Sequence, residues 1–511
     1  MRLTQSELGL SGTTLHLLSK RLQTREISAC NLAEVTLQAI DTQSDINALI
    51  ACKDRQSILD QAHEADQRLN RKTCPCGWLT GIPIAIKDLD DAAGFPTTQG
   101  GCPAFGEAAG EGNPRDREFE YFGNWRYKLQ TRDAPYVRRL RDAGAIIIAK
   151  TNSPELGMGC HTFNSVHGTT ANPADTDLSV GGSSGGIAGA VASGILAGGT
   201  GSDMMGSLRN PAGWNGLYSL RPTSGWMEDD GANESEMLLS YPISTVGPIG
   251  KSPEDLTLIL ETIIPDVSLS LFNASDVIDA SMDDLDIIVG SSNIGWLNDW
   301  GGAYPCEEGL LMHCEDALQK FRSKGGASVE TLIESPFPNT EMYDAWSDIR
   351  SNTILHNIQE NLGCTLDEVV PTLESGGAKV EAILECRRGE SLEKEKGKHG
   401  LAQAVRIAAR WRNRADELFE TYDFLALPSS QCYPFDKTIN WPKSIAGAEF
   451  AVYHEWMQCM VPVSLLGVPC VTIPAGTGKI NGLPIGVQIF AQRGQDAKLL
   501  RLARWYRDNS Q

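Results

Sequence analysis

The chain has 511 residues, of which 41% are apolar and 21% charged, which is typical of a globular protein with a sizeable core and argues against a disordered chain. Its formal net charge of −21 argues against nucleic acid as a partner, because binding to a phosphate backbone needs a basic surface. Thirteen irregularly spaced cysteines, no signal-peptide pattern and no apolar run of roughly 20 residues predict a cytoplasmic protein without a membrane span.

Helices are predicted for the start of the chain. Apolar residues recur at helical spacing over residues 14–71, which predicts a helical lead-in. Two short apolar runs, residues 81–88 and 144–150, then predict buried strands, and a helical pattern over residues 136–142 lies between them. This alternation of strand and helix predicts an α/β core over residues 72–263.

Three later regions complete the predicted architecture. Residues 105–132 show no clean period, which predicts a long loop. Residues 264–400 contain helical stretches broken by Gly, Pro and Asp, which predict a mostly helical insertion. Residues 401–511 return to the core, because three further strands and a last helix are predicted there, at 422–428, 468–474, 482–489 and 496–507. We expect a single α/β domain over residues 1–511.

Two serines 24 positions apart, Ser183 and Ser207, each lie on a turn bounded by glycines. The first turn reads Gly-Gly-Ser-Ser-Gly-Gly over residues 181–186, the second occupies residues 201–209, and small apolar residues over 187–197 predict a tightly packed helix between them. Glycines let the backbone approach a substrate closely, and free backbone N–H groups on such turns can stabilise an oxyanion. The sequence therefore predicts a hydroxyl nucleophile beside an anion hole.

The base that would activate such a nucleophile is predicted to be a lysine. Residues 181–185 fit the G-x-S-x-G pattern of the α/β-hydrolases, but residues 177–180 make a poor strand and none of the histidines has a distinctive setting. A serine without a histidine needs another group to take its proton. Because burial can lower a lysine pKa by up to about 3 to 5 units, Lys87 at the end of an apolar strand is a candidate base, although a lone lysine there is more often a salt-bridge partner.

Metal and cofactor motifs are incomplete. Cys74, Pro75 and Cys76 form a C-x-C pair without a second pair at zinc-finger distance. A segment that ends like a P-loop at Ser252 has Thr245 in place of the first glycine of that motif. We therefore predict no metal site and no cofactor.

Taken together, these segments resemble the amidase signature family, whose members use a Ser-Ser-Lys triad. The resemblance extends over most of the chain, and the matching segments are residues 81–88, 143–152, 181–186, 201–211, 245–250 and 482–488. It implies an α/β fold in which one large core has a mixed central sheet surrounded by helices, with a helical lead-in and a helical insertion.

The resemblance also implies roles for individual residues. Ser207 would attack the substrate carbonyl, Ser183 would sit on a cis peptide bond and relay the proton, and Lys87 would be the base. The residues that would form the oxyanion hole through their backbone N–H groups are Met204, Met205, Gly206 and Ser207. The residues that would brace the site by hydrogen bonds are Ser184, Asp203 and Arg209. Where the family usually has two glycines before the nucleophile this chain has Met205 and Gly206, so a methionine side chain either points away or occupies part of the acyl pocket.

The predicted function is hydrolysis of a small-molecule carboxylic amide, with esters as further candidate substrates, through an acyl-enzyme that water resolves. A second hypothesis within the family is the glutaminase subunit of a tRNA-dependent amidotransferase, which would need partner subunits. A third is a catalytically inactive relative that serves as a binding protein. A homo-oligomer is compatible with all three.

Overall fold

Sixteen α-helices and twenty β-strands lie in the residues that the computed structural model describes, which are 12–71, 76–109, 117–227, 243–265, 272–478 and 481–510. The helices are α1 (Leu15–Gln23), α2 (Ala29–Thr42), α3 (Arg55–Asn70), α4 (Pro135–Asp142), α5 (Gly185–Ala192), α6 (Arg209–Trp214), α7 (Pro253–Ile263), α8 (Ser275–Ile278), α9 (Met282–Gly290), α10 (Leu310–Gly325), α11 (Asn339–Leu362), α12 (Leu366–Ser375), α13 (Val380–Ser391), α14 (Gly397–Phe419), α15 (Val461–Leu466) and α16 (Asp496–Asn509). The strands are β1 (Leu49–Ile50), β2 (Pro83–Lys87), β3 (Glu107–Ala108), β4 (Phe119–Phe122), β5 (Trp125–Lys128), β6 (Ile146–Thr151), β7 (Phe163–Asn164), β8 (Gly168–Thr169), β9 (Ala171–Asn172), β10 (Asp175–Ser179), β11 (Gly198–Asp203), β12 (Tyr218–Arg221), β13 (Thr245–Gly250), β14 (Asn293–Trp296), β15 (Ser328–Thr331), β16 (Phe424–Pro428), β17 (Ser444–Ile445), β18 (Ala448–Glu449), β19 (Cys470–Thr477) and β20 (Pro484–Phe490).

A mixed sheet of eight strands forms the centre of the fold. Its order is β11-β13-β12-β19-β20-β16-β14-β15, with antiparallel pairing from β11 to β16 and parallel pairing from β16 through β14 to β15. Strands β12 and β16 are buried along their whole length, since helices cover the sheet. The predicted α/β class with a mixed central sheet is confirmed.

A second, three-stranded sheet carries the predicted lysine strand. Its order is β1-β6-β2, and β2 runs parallel to β6. All five residues of β2 are buried, because its sequence Pro-Ile-Ala-Ile-Lys is apolar up to the last residue. Helices of the lead-in pack on this sheet through an apolar cluster that includes Leu18, Ile84 and Ile187.

The predicted helical lead-in is confirmed by α1, α2 and α3. Each of these helices begins after a residue whose side chain accepts a backbone N–H of the first turn. These residues are Thr14, Ser28 and Asp54, whose side chains are good N-caps.

The prediction of a loop over residues 105–132 was wrong for much of that segment. Strands β3, β5 and β4 form an antiparallel sheet in that order, and β4 and β5 are joined by a tight turn in which Gly123 has a φ of +56°. Tyr127 anchors the sheet, since its ring is buried and its hydroxyl donates to the Cys102 carbonyl over 3.2 Å. Aromatic residues on both strands favour pairing without apolar alternation; residues 110–116 lie outside the described residues.

Residues 264–400 are mainly helical, but two strands there join the central sheet. Strands β14 and β15 pair in parallel with each other, and α10 connects them, so they form a β-α-β unit beside β16. The expectation of a mostly helical region agrees with these helices, and the two strands within residues 293–331 in addition join the central sheet. The two strands have only four residues each, too few to give a clear period.

Two local expectations around the first serine turn also need correction. The helix predicted over residues 187–197 is α5, which begins at Gly185 and ends at Ala192. The poor strand at residues 177–180 is part of β10, which pairs with β9 across an irregular register. Its first three residues are exposed and polar, which is why their pattern carries no strand signal.

The helices of the described residues do not meet the requirements of a membrane span. None of them has both the length and the apolar character that would be needed to cross a bilayer.

Candidate active site

Lys87, the last residue of β2, lies at the centre of a cluster of hydroxyl groups. Its side chain is completely buried. Its Nζ lies 2.8 Å from Ser183 Oγ, 3.0 Å from Ser184 Oγ and 3.0 Å from Ser202 Oγ. The three serines come from two elements, because residues 183 and 184 immediately precede α5 and residue 202 lies in β11. The structure thus brings the predicted lysine and the first predicted serine into direct contact.

The buried setting of Lys87 makes its neutral amine more populated than that of an ordinary lysine. Burial disfavours the ammonium form and lowers the Lys87 pKa from 10.5 to about 8, although the carboxylates of Asp90 and Asp203 oppose this shift. The three neighbouring hydroxyl oxygens provide acceptors for the ammonium form and a donor for the neutral form. The group can therefore exchange a proton near neutral pH.

The first serine turn is tightly packed, which explains its glycines. Gly181 has a φ of +87°, a conformation that disfavours side chains. A Cβ at Gly186 would lie 2.4 Å from the Asn152 backbone nitrogen, so no side chain fits there. The Gly182–Ser183 peptide bond is cis, as the family resemblance implies.

Ser207 lies in the turn between β11 and α6 and lines a cavity of about 400 Å³ together with Ser183 and Ser202. Within the described part of the chain, the Ser207 hydroxyl makes no hydrogen bond, so it faces the cavity unengaged. The Ser207 carbonyl accepts the Ser184 N–H over 3.1 Å, which joins the two serine turns. Ser183 and Ser207 thus line the same cavity, and Lys87, which does not line it, contacts Ser183.

The backbone N–H groups before Ser207 are not all equivalent. The Gly206 N–H donates to Asp203 Oδ1 over 2.9 Å, which corrects the expected set of four oxyanion donors. Among the hydrogen bonds of the described residues, none uses the N–H of Met204, Met205 or Ser207. All three residues line the cavity.

Asp203 and Arg209 form a buried ion pair below the second serine turn. The Arg209 guanidinium donates to both carboxylate oxygens, at 2.8 Å and 3.0 Å, and it also donates to Gln488 Oε1 over 2.7 Å. The Asp203 carboxylate accepts the Leu208 N–H as well as that of Gly206. Although burial alone would raise the Asp203 pKa, the Arg209 guanidinium holds it well below its usual range.

Ser184, Asp203 and Arg209 therefore occupy positions from which they can brace the site. Ser184 Oγ accepts from Lys87 and donates to the Ser202 carbonyl over 3.2 Å. Sequence reasoning gave no role to Ser202, although it lies within the second serine turn beside Asp203. Asp90, which also lines the cavity, was likewise missed. The position of Asp90 three residues after Lys87 was the available signal for it.

The far wall of the cavity comes from the insertion. Helix α11 presents one face to it, and the lining positions Arg350, Ile354, Asn357, Ile358 and Asn361 follow helical spacing. Tyr453 and Met457 line it from the segment before α15. The sequence alone does not assign Tyr453 to the site, because aromatic side chains are as common in cores as in pockets.

The described side chains do not form a metal site: no group of three His, Cys, Asp or Glu among them is arranged to hold a metal ion. Cys74 and Pro75 of the C-x-C pair lie outside the described residues.

Several known proteins are similar in sequence to this chain. The family described as Amidase matches residues 122–500. A glutamyl-tRNA(Gln) amidotransferase chain of Legionella pneumophila (strain Paris) is 29% identical over 508 residues, covering 96% of each chain. A mandelamide hydrolase of Pseudomonas putida is 27% identical over 506 residues, covering 96% of this chain and 90% of the relative.

Solved structures share the fold. A bacterial aryl acylamidase of the amidase signature enzymes superposes with a TM-score of 0.80 at 21% identity, covering 98% of this chain and 96% of that one. A 6-aminohexanoate cyclic dimer hydrolase superposes with a TM-score of 0.73 at 20% identity, covering 98% and 97%. The family match covers most of the length of the chain. This chain therefore belongs to the amidase family, in agreement with the resemblance of its sequence motifs.

Proposed function

We propose that this protein hydrolyses carboxylic amides through an acyl-enzyme on Ser207, with Ser183 as proton relay and Lys87 as base. The observation that carries the proposal is the buried Lys87 Nζ, 2.8 Å from Ser183 Oγ, behind a cavity that Ser183 and Ser207 both line. A neutral lysine in this position can do the work that a histidine does in other serine hydrolases. Esters have the same carbonyl chemistry and a better leaving group, so they are further substrates.

The proposed proton path runs from Ser207 through Ser183 to Lys87. Neutral Lys87 accepts the Ser183 hydroxyl proton, Ser183 accepts the Ser207 proton, and Ser207 Oγ attacks the carbonyl carbon. The carbonyl oxygen becomes an oxyanion that the N–H groups of Met204, Met205 and Ser207 stabilise. Reverse flow of the proton from Lys87 protonates the leaving amine as the C–N bond breaks. Water then attacks the acyl-enzyme by the same path and releases the acid and Ser207.

The ion pair below the second turn supports this role for the backbone donors. The Asp203 carboxylate holds the N–H groups of Gly206 and Leu208, on either side of Ser207. This fixes the peptide planes of the turn, so the unengaged N–H groups keep one orientation before substrate arrives. Such preorganisation is what makes an oxyanion hole effective.

Substitution of each triad member tests the proposal. Ser207→Ala, Ser183→Ala and Lys87→Ala are each expected to lose at least a thousandfold in kcat on an activated amide, whereas Ser291→Ala, at an exposed serine after α9, keeps full activity. A fluorophosphonate probe is expected to label Ser207, as located by mass spectrometry. Full activity of Ser207→Ala, or labelling at another serine, would contradict the proposal.

A second candidate function is the glutaminase subunit of a tRNA-dependent amidotransferase. It is favoured by glutamyl-tRNA(Gln) amidotransferase relatives that are 27% to 29% identical across almost the whole chain. It would require partner subunits that receive ammonia. Release of ammonia from glutamine, and co-purification with such subunits, would support it.

The remaining alternative is an inactive binding protein. A relic without catalysis has no need for a buried lysine held by three hydroxyl groups, which costs folding free energy. Absence of fluorophosphonate labelling in the folded wild-type protein would favour this alternative.

We also propose a cytoplasmic location. Cys160, Cys432 and Cys459 are buried and unpaired, which suits a reducing compartment.

A further inference from the structure

Five methionines share the wall of the candidate active-site cavity. They are Met158, Met204, Met205, Met227 and Met457. Three of them, at positions 158, 205 and 457, are 4%, 8% and 3% exposed, so their side chains are packed into the wall rather than turned to solvent. The concentration of one flexible apolar residue type in one cavity calls for a functional explanation.

Three of these methionines belong to segments beside the two serines. Met204 and Met205 belong to the turn of Ser207 itself. A Cβ at Gly157 would lie 3.8 Å from Ser183 Oγ, so the backbone that carries Met158 passes close to the other serine hydroxyl. Met158 belongs to an apolar cluster with Ile354 and Ile358 of α11, and Met204 packs against that cluster. An apolar patch therefore lies among the polar groups that line the cavity near the two serines.

The described wall contains two charged side chains, Asp90 and Arg350. The Arg350 guanidinium lies 2.5 Å from Glu385 Oε2, donates to the Tyr453 hydroxyl and is only 4% exposed, so its charge is compensated before a ligand enters. Asp90 interacts electrostatically with Lys87 and Lys150, and its Oδ2 has no hydrogen-bond partner among the described residues. A carboxylate group on the substrate would therefore find no uncompensated positive charge among the described lining side chains.

The order of events decides which half of the substrate meets the methionines. The amine has to leave, and water has to enter, while the acyl group stays bound to Ser207. The amine therefore needs the outward side of the cavity, and the acyl group occupies the inner side next to the Ser207 turn. A cavity of about 400 Å³ is within the range that accommodates ligands of drug size.

We propose that the substrate of this protein has a bulky, uncharged, apolar acyl group, aliphatic or aromatic, which packs on Met158, Met204 and Met205. This inference rests on the proposed acyl-enzyme chemistry and specifies its substrate class. Methionine adapts its shape and makes favourable contacts with aromatic rings, so the same wall accommodates a ring and a linear chain. Small or charged acyl groups, that of glutamine included, leave this wall uncovered or place a charge against it.

A series of p-nitroanilides with one leaving group and varied acyl groups tests the proposal. From acetyl through butanoyl to hexanoyl we expect kcat/KM to rise by roughly fourfold for each CH₂ that becomes buried. Phenylacetyl is expected to match hexanoyl, and γ-glutamyl and succinyl are expected to react more slowly than butanoyl. A flat series, or the highest kcat/KM with acetyl or γ-glutamyl, would overturn the proposal.

A variant of the wall provides the second measurement. Met158→Gln keeps nearly the same side-chain length but adds an amide, so the ratio of kcat/KM for hexanoyl over acetyl is expected to fall at least fivefold. Met312→Gln, at a methionine of α10 that is 52% exposed, is the matched control and should leave the ratio unchanged. Met204→Gln, at a partly exposed methionine of the same wall, serves if Met158→Gln does not fold. An unchanged ratio in the folded wall variant would refute the role of the methionines.

The two proposals can fail separately. If a fluorophosphonate labels Ser207 while the acyl series is flat, the acyl-enzyme chemistry stands and the substrate class is wrong. If Ser207 is not labelled and no anilide is hydrolysed, both proposals fall.

Discussion

The pH dependence of the reaction depends on Lys87, since the proposed base works only as the neutral amine. Burial lowers its pKa from 10.5 to about 8, against the opposing influence of Asp90 and Asp203. The ratio of neutral to charged lysine changes tenfold for each pH unit. At pH 7 about one tenth of the molecules would hold neutral Lys87, whereas a lysine with its ordinary pKa would be neutral in roughly one of 3,000.

The expected profile of kcat/KM rises about tenfold per unit at pH values well below 8 and becomes level above that value. Initial rates on an activated anilide between pH 6 and pH 9.5, at constant ionic strength, measure it. The Ser207→Ala variant supplies the background of uncatalysed hydrolysis at each pH. A further check is that this midpoint appears in the pH profile of kcat/KM, and not in that of kcat alone. The reason is that kcat/KM reports the pKa values of the free enzyme.

Two results would refute the role of Lys87 as base. One is a profile that stays flat from pH 6 to pH 9.5 while the chemical step limits the rate. The other is a midpoint near 6.5, which is the ordinary range of imidazole and would point to a histidine. His161 does not fit that part, because burial lowers its pKa to about 4 and its Nε2 lies 2.9 Å from the Lys437 carbonyl oxygen.

Three further outcomes are expected. Asp90→Asn removes a carboxylate that raises the Lys87 pKa, so the midpoint of the same pH profile should move to lower pH; a midpoint that rises or does not move would argue against this interaction. Arg209→Met removes the guanidinium that donates to both Asp203 carboxylate oxygens and leaves Arg221, 3.7 Å away, as the cationic neighbour of this buried carboxylate. It should lower the free energy of unfolding by about 3–5 kcal/mol in denaturant titration, whereas Arg410→Met, at an exposed ion pair, should change it by about 1 kcal/mol or less. Mild peroxide should convert the exposed methionines of the wall to sulfoxides and reduce turnover of hexanoyl anilide more than that of acetyl anilide. A bound apolar carboxylic acid should protect these methionines from oxidation. Equal losses on both substrates would contradict the assigned wall.

Local sequence signals were sufficient for the residues that carry the proposed chemistry. The apolar run before Lys87 predicted a buried strand, and the glycines around Ser183 predicted a turn too closely packed for side chains. The sequence signal for each of these residues comes from neighbours within about ten positions of it in the chain. The resemblance to the amidase signature family then supplied the spatial connection between them, which spacing alone does not give.

The features that the sequence did not predict depend on contacts between distant segments. Strands β14 and β15 are short and lie among helices, so their membership of the sheet becomes clear only from their pairing with β16. The Gly206 N–H donates to the Asp203 carboxylate, which Arg209 orients. No pattern of residue types in the sequence distinguishes this engaged N–H group from a free donor. The pairing of Arg350 with Glu385 joins two helices of the insertion.

The serines and the lysine of the site come from different parts of the fold than the far wall of the cavity. Lys87 comes from the three-stranded sheet, and the turn of Ser207 follows the edge strand β11 of the central sheet. The two meet through Ser183 and Ser184 at the start of α5, within a layer that the ion pair of Asp203 braces from below. The far wall, in contrast, is one face of α11, and the three hydrogen bonds of Lys87 all go to serines outside that helix. Substitutions on the lining face of α11 can therefore change the shape of the cavity without removing a hydrogen-bond partner of Lys87.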